Sequence, residues 1–303
     1  MKKKEFNITH KIKKGCRLLY NSLYKLSTNP SDRLIVNASM IIRGQHLFPS
    51  NLGDDLNYFL LRELSHKKII NSNELLYQNV ENLMCIGSIV EWLTNEKSTI
   101  WGSGAMFGGQ YSMKTKPKKV LAVRGPLTRQ YLLSQGVDCP EVYGDPALLL
   151  PYIYRPHIAQ TCKIGIIPHY IDQGNEHLHR LLSQNSAVSI RMINLKDYTH
   201  WHDVIDDICS CEFIISSSLH GLIIADAYGI PNLRVKFSDK ILGGDFKYLD
   251  YFAAVHRQHV PPIIIDDSTE LDRLLIHKEN YRRIEFDANP LIQACPFPIH
   301  IQN

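Results

Sequence analysis

Residues 211–231 read CEFIISSSLHGLIIADAYGIP: a buried strand that breaks into polar residues, then a helix, then a turn. Phe213, Ile214 and Ile215 form an apolar run of the kind a parallel sheet buries on both faces. Ser216, Ser217 and Ser218 follow, and Leu219 to Tyr228 has helical character until Gly229-Ile230-Pro231 stops it. In open α/β sheets ligands sit beyond the carboxyl ends of the strands, where helix N-termini offer unpaired amides to an anion. His220 therefore falls at the mouth of a site. Read by itself, the segment equally describes serines that cap a helix and a histidine that merely packs.

Working outward, strands alternate with helices on both sides. Leu34–Met40 reads as a first strand, and Ser50 to Asp55 supplies turn and N-cap chemistry for a helix through Leu56, Phe59, Leu60 and Leu64. Leu83–Gly87 and Thr99–Gly102 are further strands, the second opening into the glycine-rich loop Gly102–Gly109. Lys119–Val123 runs into Arg124-Gly125-Pro126, where proline suits the first turn of a helix that continues to Gln135. The polar piece Tyr152–Thr161 is the expected linker. The alternation then restarts with strands at Lys163–Ile167, Ser189–Leu195, Phe213–Ile215, Leu233–Val235 and Ile263–Ile265. This pattern predicts an α/β protein of two Rossmann-like domains facing across a cleft. The expected units are a basic amphipathic tail at 1–30, an N-terminal domain at 31–155, and a C-terminal domain at 156–303.

A chain of 303 residues with 44% hydrophobic content can bury two ordinary cores. Its charge of +4 is unevenly distributed. Lys2, Lys3, Lys4, Lys11, Lys13, Lys14, Arg17 and Lys25 face Glu5 alone, so residues 1–26 carry +7 and the remainder about −3. The basic character belongs to the tail, and nothing points to a nucleic-acid partner. In the tail Ile12, Cys16, Leu19, Leu23 and Leu26 share one helical face. Such a helix suits an anionic membrane surface, and equally suits docking on the body. No apolar run of signal-peptide length follows the lysines.

The seven cysteines are odd in number and scattered, which fits a reducing cytoplasm, with the tail allowing peripheral attachment to the inner face of the membrane. His177 with His179, and His200 with His202, lack the spacing and carboxylates of a helical metal site, so no metal is expected.

Several loops at strand ends can carry chemistry. Gly102–Gly109 matches neither the dinucleotide fingerprint nor the Walker pattern, and alone reads as a flexible turn. Arg124 beside a helix N-terminus combines a bidentate donor fork with free amides, which suits a phosphate or carboxylate; it also suits a surface arginine capping a turn. No GxSxG nucleophile motif is present, which disfavours acyl-enzyme chemistry. A histidine with an ordinary pKa of about 6.5 can instead give or take a proton near neutrality.

Taken in order, Asn51-Leu-Gly-Asp54, Trp101-Gly-Ser-Gly104, Val123-Arg-Gly-Pro126, Tyr143-Gly-Asp-Pro146, Ile166-Ile-Pro-His-Tyr170, Ser216-Ser-Ser-Leu-His-Gly221 and Ala225-Asp-Ala-Tyr-Gly-Ile-Pro231 resemble the polysaccharide pyruvyl transferase family. The likeness runs over about residues 34–255 and leaves the tail outside. It implies a fold like glycosyltransferase B, phosphoenolpyruvate as donor substrate with no cofactor, and a sugar of a polysaccharide or lipid-linked oligosaccharide as acceptor. The implied product is a pyruvate ketal, with phosphate released.

Carried over by position, His220 resembles the family's catalytic histidine and Arg124 its anion-binding arginine. Asp54 would contact the acceptor or order the cleft. The matching loops place Asn51, Gly53, Gly102, Ser103 and Gly104 at the substrate, with His169, Tyr170, Ser217, Ser218 and Leu219 on the facing side. A basic residue is expected after the Gly-Ile-Pro turn, and Lys240 and Lys247 compete for that role. Some members carry arginine immediately before Leu-His where this chain has Ser218, so Arg234 or a lysine must compensate. Protonation of the donor's methylene carbon would generate a cationic carbon that a sugar hydroxyl attacks, with His220 as the general acid. Two rivals are a nucleotide-sugar glycosyltransferase of the same fold, whose glycine loop would face a diphosphate, and a non-catalytic scaffold held at the membrane by residues 1–26.

Overall fold

The apolar runs pair into two five-stranded parallel sheets. The computed structural model describes residues 2–184, 189–258 and 260–301, with only the backbone described for 2–10 and 184. The first half contains α1 (Lys2–Ser27), β1 (Arg33–Val36), β2 (Ile41–Arg43), β3 (His46–Phe48), α2 (Leu52–Ser65), β4 (Lys68–Asn71), β5 (Asn82–Met84), α3 (Val90–Leu93), β6 (Ser98–Trp101), β7 (Lys119–Ala122) and α4 (Pro126–Ser134). The second contains β8 (Cys162–Ile167), α5 (Glu176–Gln184), β9 (Ile190–Met192), α6 (Trp201–Cys209), β10 (Cys211–Ser216), α7 (Leu219–Ala227), β11 (Asn232–Lys236), α8 (Phe246–Ala254), β12 (Ile263–Ile264), α9 (Leu271–Glu279) and α10 (Asn289–Gln293).

The strand orders are β4-β1-β5-β6-β7 and β12-β11-β10-β8-β9. Ile164, Ile166, Phe213 and Ile215 are fully buried in the second sheet, as expected of strands covered on both faces. Asn51 caps α2, its side-chain oxygen accepting from the Gly53 amide at 3.1 Å.

Two local expectations differ from the structure. The first strand ends at Val36 rather than Met40, and the chain turns into the antiparallel hairpin β2–β3. The buried Asn71 amide takes over there, donating to the carbonyls of Ala38 at 3.0 Å and Met40 at 2.7 Å and so satisfying backbone groups that a ladder would otherwise hold. Strand β4 has no counterpart among the expected strands, because only Ile69 and Ile70 stand between polar neighbours and no period shows in so short a run.

Direct hydrogen bonds also tie the two halves of the chain together. Trp101 donates its indole N–H to the Leu291 carbonyl at 2.9 Å, and the His300 amide bonds the Leu64 carbonyl at 2.8 Å. The end of the described chain, roughly residues 286–300, thus lies against the first half.

Candidate active site

Each sheet has a point where successive strands depart in opposite directions, and ligands of open α/β sheets lie beyond the strand ends there. In the second sheet that point falls between β8 and β10; in the first, between β1 and β5. The loops after β8 and β10 carry His169 and Ser216–Ser218, and the segment before α2 carries Asn51. These loops meet. A Cβ placed on Gly53 would lie 2.0 Å from His220 Nδ1, so the imidazole rests directly on the backbone at the start of α2. Asp54 Oδ1 lies close to Gly87, in the segment that follows β5, at 3.6 Å from where its Cβ would be.

Electrostatics joins four of these groups into one cluster. Burial, reinforced by the charges of Lys247, Arg124 and His169, pushes the His220 pKa down to about 3, so the imidazole is neutral. His169 is lowered to about 4 by burial and by Lys247. Burial and the neighbouring Asp55 raise Asp54 to about 7, against the opposing pull of Lys247. Lys247 is itself lowered to about 8 by burial and by Arg124 and Arg234, while Asp54 opposes the shift.

Several buried polar atoms at these loops and at Arg234 are left open among the described residues. Buried His220 Nε2, Ser103 Oγ, and Arg234 Nε and Nη1 have no hydrogen-bond partner among the described residues. Arg234 does reach Asp245 through Nη2, and its guanidinium lies 3.7 Å over the Tyr248 ring. Lys247 is buried and makes no ion pair among the described residues; its neighbours in charge are Arg124, Arg234 and Asp54. Lys240 is exposed and its charge acts on Asp172, so of the two competing lysines it is Lys247 that sits with His220.

Arg124 is brought to the cluster but is already engaged. Its Nε and Nη2 reach Asp250 Oδ2 at 3.0 and 2.9 Å, Nη2 donates to the Ala105 carbonyl at 2.6 Å, and Nη1 donates to Ser88. It touches the site mainly as charge. Gly104 leaves room for it, since a Cβ there would stand 2.2 Å from the guanidinium carbon. Gly102 has φ +100 and faces Pro146, so glycine is required on both counts.

The rest of the glycine-rich loop is folded around a protein carboxylate. Glu91 accepts from the amides of Met106 at 2.8 Å and Phe107 at 2.8 Å, and from Gly108 at 3.3 Å. The serines after β10 are likewise committed. Ser216 Oγ donates to the Ile167 carbonyl at 2.9 Å, and Ser217 Oγ accepts from the His169 amide at 2.9 Å. Asn51, His169, Tyr170 and Ser218 line a small crevice between the halves, with Lys196 at its rim. Leu219 is buried, and Tyr170 is exposed. A roomier cavity of about 460 Å³, lined by Arg257, Tyr281 and Arg283, borders the cluster at Arg234 but holds none of His220, Asp54 or Lys247.

Sequence reasoning missed Asp250, Tyr248 and Glu91. Tyr248 donates to the Ser217 carbonyl at 2.7 Å and so holds the serine loop from α8. No turn or cap motif marks any of the three, because their roles depend on partners outside their own elements. The stretch FKYLDYF in α8 does put Lys247, Tyr248 and Asp250 together, which is the one signal that could have found them.

The chain resembles several known proteins. A profile of polysaccharide pyruvyl transferases matches residues 10–236. That match starts inside α1, whereas the motifs alone begin the likeness near residue 34 and leave the tail outside. An uncharacterised protein of Acanthamoeba polyphaga mimivirus is 28% identical over 207 residues, covering 67% of this chain and 70% of that protein. The succinoglycan biosynthesis protein ExoV of Rhizobium meliloti is 29% identical over 208 residues, covering 66% of this chain and 60% of ExoV, so the chain spans less than two thirds of that relative's length. A functionally uncharacterised Klebsiella pneumoniae protein of known structure aligns at 14% identity and a TM-score of 0.41, over 80% of this chain and 94% of that one. Matched over most of its length, the chain belongs to the polysaccharide pyruvyl transferase family.

Proposed function

We propose that the protein transfers the enolpyruvyl-derived group of phosphoenolpyruvate to two hydroxyls of a glycan sugar, forming a pyruvate ketal and releasing phosphate. The observation that carries this reading is a set of buried groups left open among the described residues: Lys247 makes no ion pair, and Arg234 Nε and Nη1, His220 Nε2 and Ser103 Oγ have no hydrogen-bond partner. Burying such groups costs several kcal/mol per charge unless an anion completes them, and a small donor with a phosphate and a carboxylate supplies that anion. The two sheets, with the cluster between them, act in this reading as the two halves of an arrangement like glycosyltransferase B.

Before the donor binds, burial and the neighbouring cations hold His220 neutral. The donor's negative charges offset those cations, and the imidazole then takes up a proton. It delivers this proton to the donor's methylene carbon, leaving an oxocarbenium at the carbon bearing the phosphate. One sugar hydroxyl attacks that carbon and returns a proton to His220. The carbon–oxygen bond to phosphate breaks, the second hydroxyl closes the ketal, and its proton leaves with phosphate. Lys247 and Arg234 hold the anionic groups, Arg124 adds charge from behind, and Asp54 faces the acceptor. The donor is a substrate, and no cofactor enters this scheme.

The Glu91 carboxylate weighs against the nucleotide-sugar alternative, because it occupies the loop amides that a diphosphate would need. The test is incubation with phosphoenolpyruvate and candidate glycans, soluble and lipid-linked, following phosphate release and the acceptor's mass. The expected result is one phosphate per acceptor, with the acceptor heavier by one pyruvate less one water. Release of nucleotide from a nucleotide sugar, with phosphoenolpyruvate untouched, would overturn the reading.

A further inference from the structure

Helix α1 is attached to the body by its polar side. Buried Asn21 donates to the carbonyls of Ile42 at 2.8 Å and Glu74 at 3.2 Å, and accepts from the Gly44 amide at 2.8 Å. One turn earlier Arg17 forms a two-armed ion pair with Glu74. Beside them, Ser22 Oγ accepts from the Leu76 amide at 3.0 Å, and Thr28 at the helix end is buried.

The apolar stripe faces the other way. At 100° per residue, Ile12, Cys16, Leu19, Leu23 and Leu26 centre about 180° around the helix from Asn21. Ile12 is 60% exposed, Leu19 51%, Leu23 58% and Leu26 79%. A helix docked on a soluble body ordinarily buries such a stripe and leaves its polar side in water; here the arrangement is reversed. The flanks are cationic: Lys11 and Lys13 are exposed on opposite sides of the stripe, and no acidic residue occurs between Lys11 and Ser27.

We infer that α1 is a membrane-docking element that lies flat on an anionic lipid bilayer, stripe inward. The charge pattern selects this occupant, because exposed lysines bordering an apolar strip match a hydrocarbon surface rimmed by anionic headgroups. No described helix is long and apolar enough to cross a membrane, so the contact is with one surface. Asn21 is anchored to residues that follow β1 and β4, which places α1 at the carboxyl end of the first sheet, the same end as Asn51 and Asp54. Docking therefore turns that end of the molecule toward the bilayer. The inference concerns the surface of α1 and does not depend on which reaction the buried cluster performs.

The test is co-sedimentation of the full chain with vesicles of phosphatidylcholine alone and of phosphatidylcholine mixed with phosphatidylglycerol. Wild type should partition at least tenfold better onto the anionic vesicles, and added salt should weaken that binding. The triple variant Leu19→Ser, Leu23→Ser, Leu26→Ser and the double variant Lys11→Gln, Lys13→Gln should each lose at least tenfold. Both variants keep Arg17, Asn21 and Ser22, which hold the helix to the body, and an unchanged melting temperature confirms that the fold is intact. Equal binding to both vesicle types, or none, overturns the inference. So does a concentration-dependent dimer of wild type that the serine variant abolishes, since the stripe would then cover a second copy of the chain.

Discussion

Gly53 and His220 stand in different halves of the chain and touch, with the imidazole Nδ1 only 2.0 Å from where a Cβ on Gly53 would be. Gly53 lies in the first turn of α2 and His220 in the first turn of α7. The contact sets the ring between two helix starts, and its other nitrogen, Nε2, is buried with no hydrogen-bond partner among the described residues. The position of the imidazole thus depends on the absence of a side chain at residue 53.

Gly53→Ala should separate activity from folding. Alanine is the better helix former by roughly 0.5–1 kcal/mol, and Gly53 has no left-handed backbone to strain. The added methyl instead displaces the ring of His220. We expect turnover to fall at least tenfold while the melting temperature changes by no more than a few degrees. Unchanged turnover would show that the imidazole position is not critical.

His220→Gln tests the proton. His220 titrates near 3, below its ordinary value, so the unfolded chain binds more protons between about 3 and 6.5. That difference destabilises the fold progressively as pH falls through this window, and the glutamine variant should lose that component. Donor binding should draw a proton onto His220 near neutrality. Calorimetry of phosphoenolpyruvate binding in buffers of different ionisation enthalpy should register proton uptake in wild type and none in the variant, and turnover in the variant should vanish. Equal uptake in both would move the proton to another group.

The contiguous parts of the site were legible in the sequence because each loop is written in adjacent letters. Asn51 to Asp54 and Ser216 to His220 are turn and cap chemistry at strand ends, and a period-two or fully apolar run beside a helix marks where those ends lie. The pairings between segments distant in the chain were not. Asp250 is one letter in an ordinary amphipathic helix, and only the fold sets it against Arg124, far away in the chain. Glu91 lies in a helix of four residues, too short to show a period. The apolar stripe of α1 was visible from its spacing, but its outward direction follows from Asn21 and Arg17 bonding to loops that carry no pattern.

Lys247→Met should stabilise the protein in the absence of donor and impair it as an enzyme. The Lys247 pKa is lowered from 10.5 to about 8, chiefly by burial. The unfolded chain therefore binds more protons between those values, so stability rises with pH across that window and the full penalty applies below it. Methionine removes the penalty. A gain on the order of 1–3 kcal/mol is expected near neutral pH and should shrink as pH rises toward the ordinary lysine value. Affinity for phosphoenolpyruvate should drop at least tenfold. Thermal melts at several pH values and a binding titration check both parts; a variant destabilised at neutral pH would contradict the argument.

Arg124 and Asp250 form the buried ion pair that joins the start of α4 to α8, and Asp250 also accepts from the Thr128 amide at 2.8 Å and hydroxyl at 2.6 Å. Removing one partner strands the other charge in a nearly dry setting, since both side chains are at most 1% exposed. Asp250→Ala should cost about 3–5 kcal/mol, as is usual when a buried pair is broken. Replacing both groups with apolar side chains removes the uncompensated charge, so Arg124→Met with Asp250→Leu should recover a large part of the loss, short of what Thr128 forfeits. Activity should not follow. If the Arg124 charge serves the donor, the double variant stays folded yet binds phosphoenolpyruvate poorly, whereas a purely structural pair would return affinity together with stability. Urea unfolding and donor titration on the three variants, Asp250→Ala, Arg124→Met and the double, distinguish these outcomes, because only a role at the donor separates the two measurements.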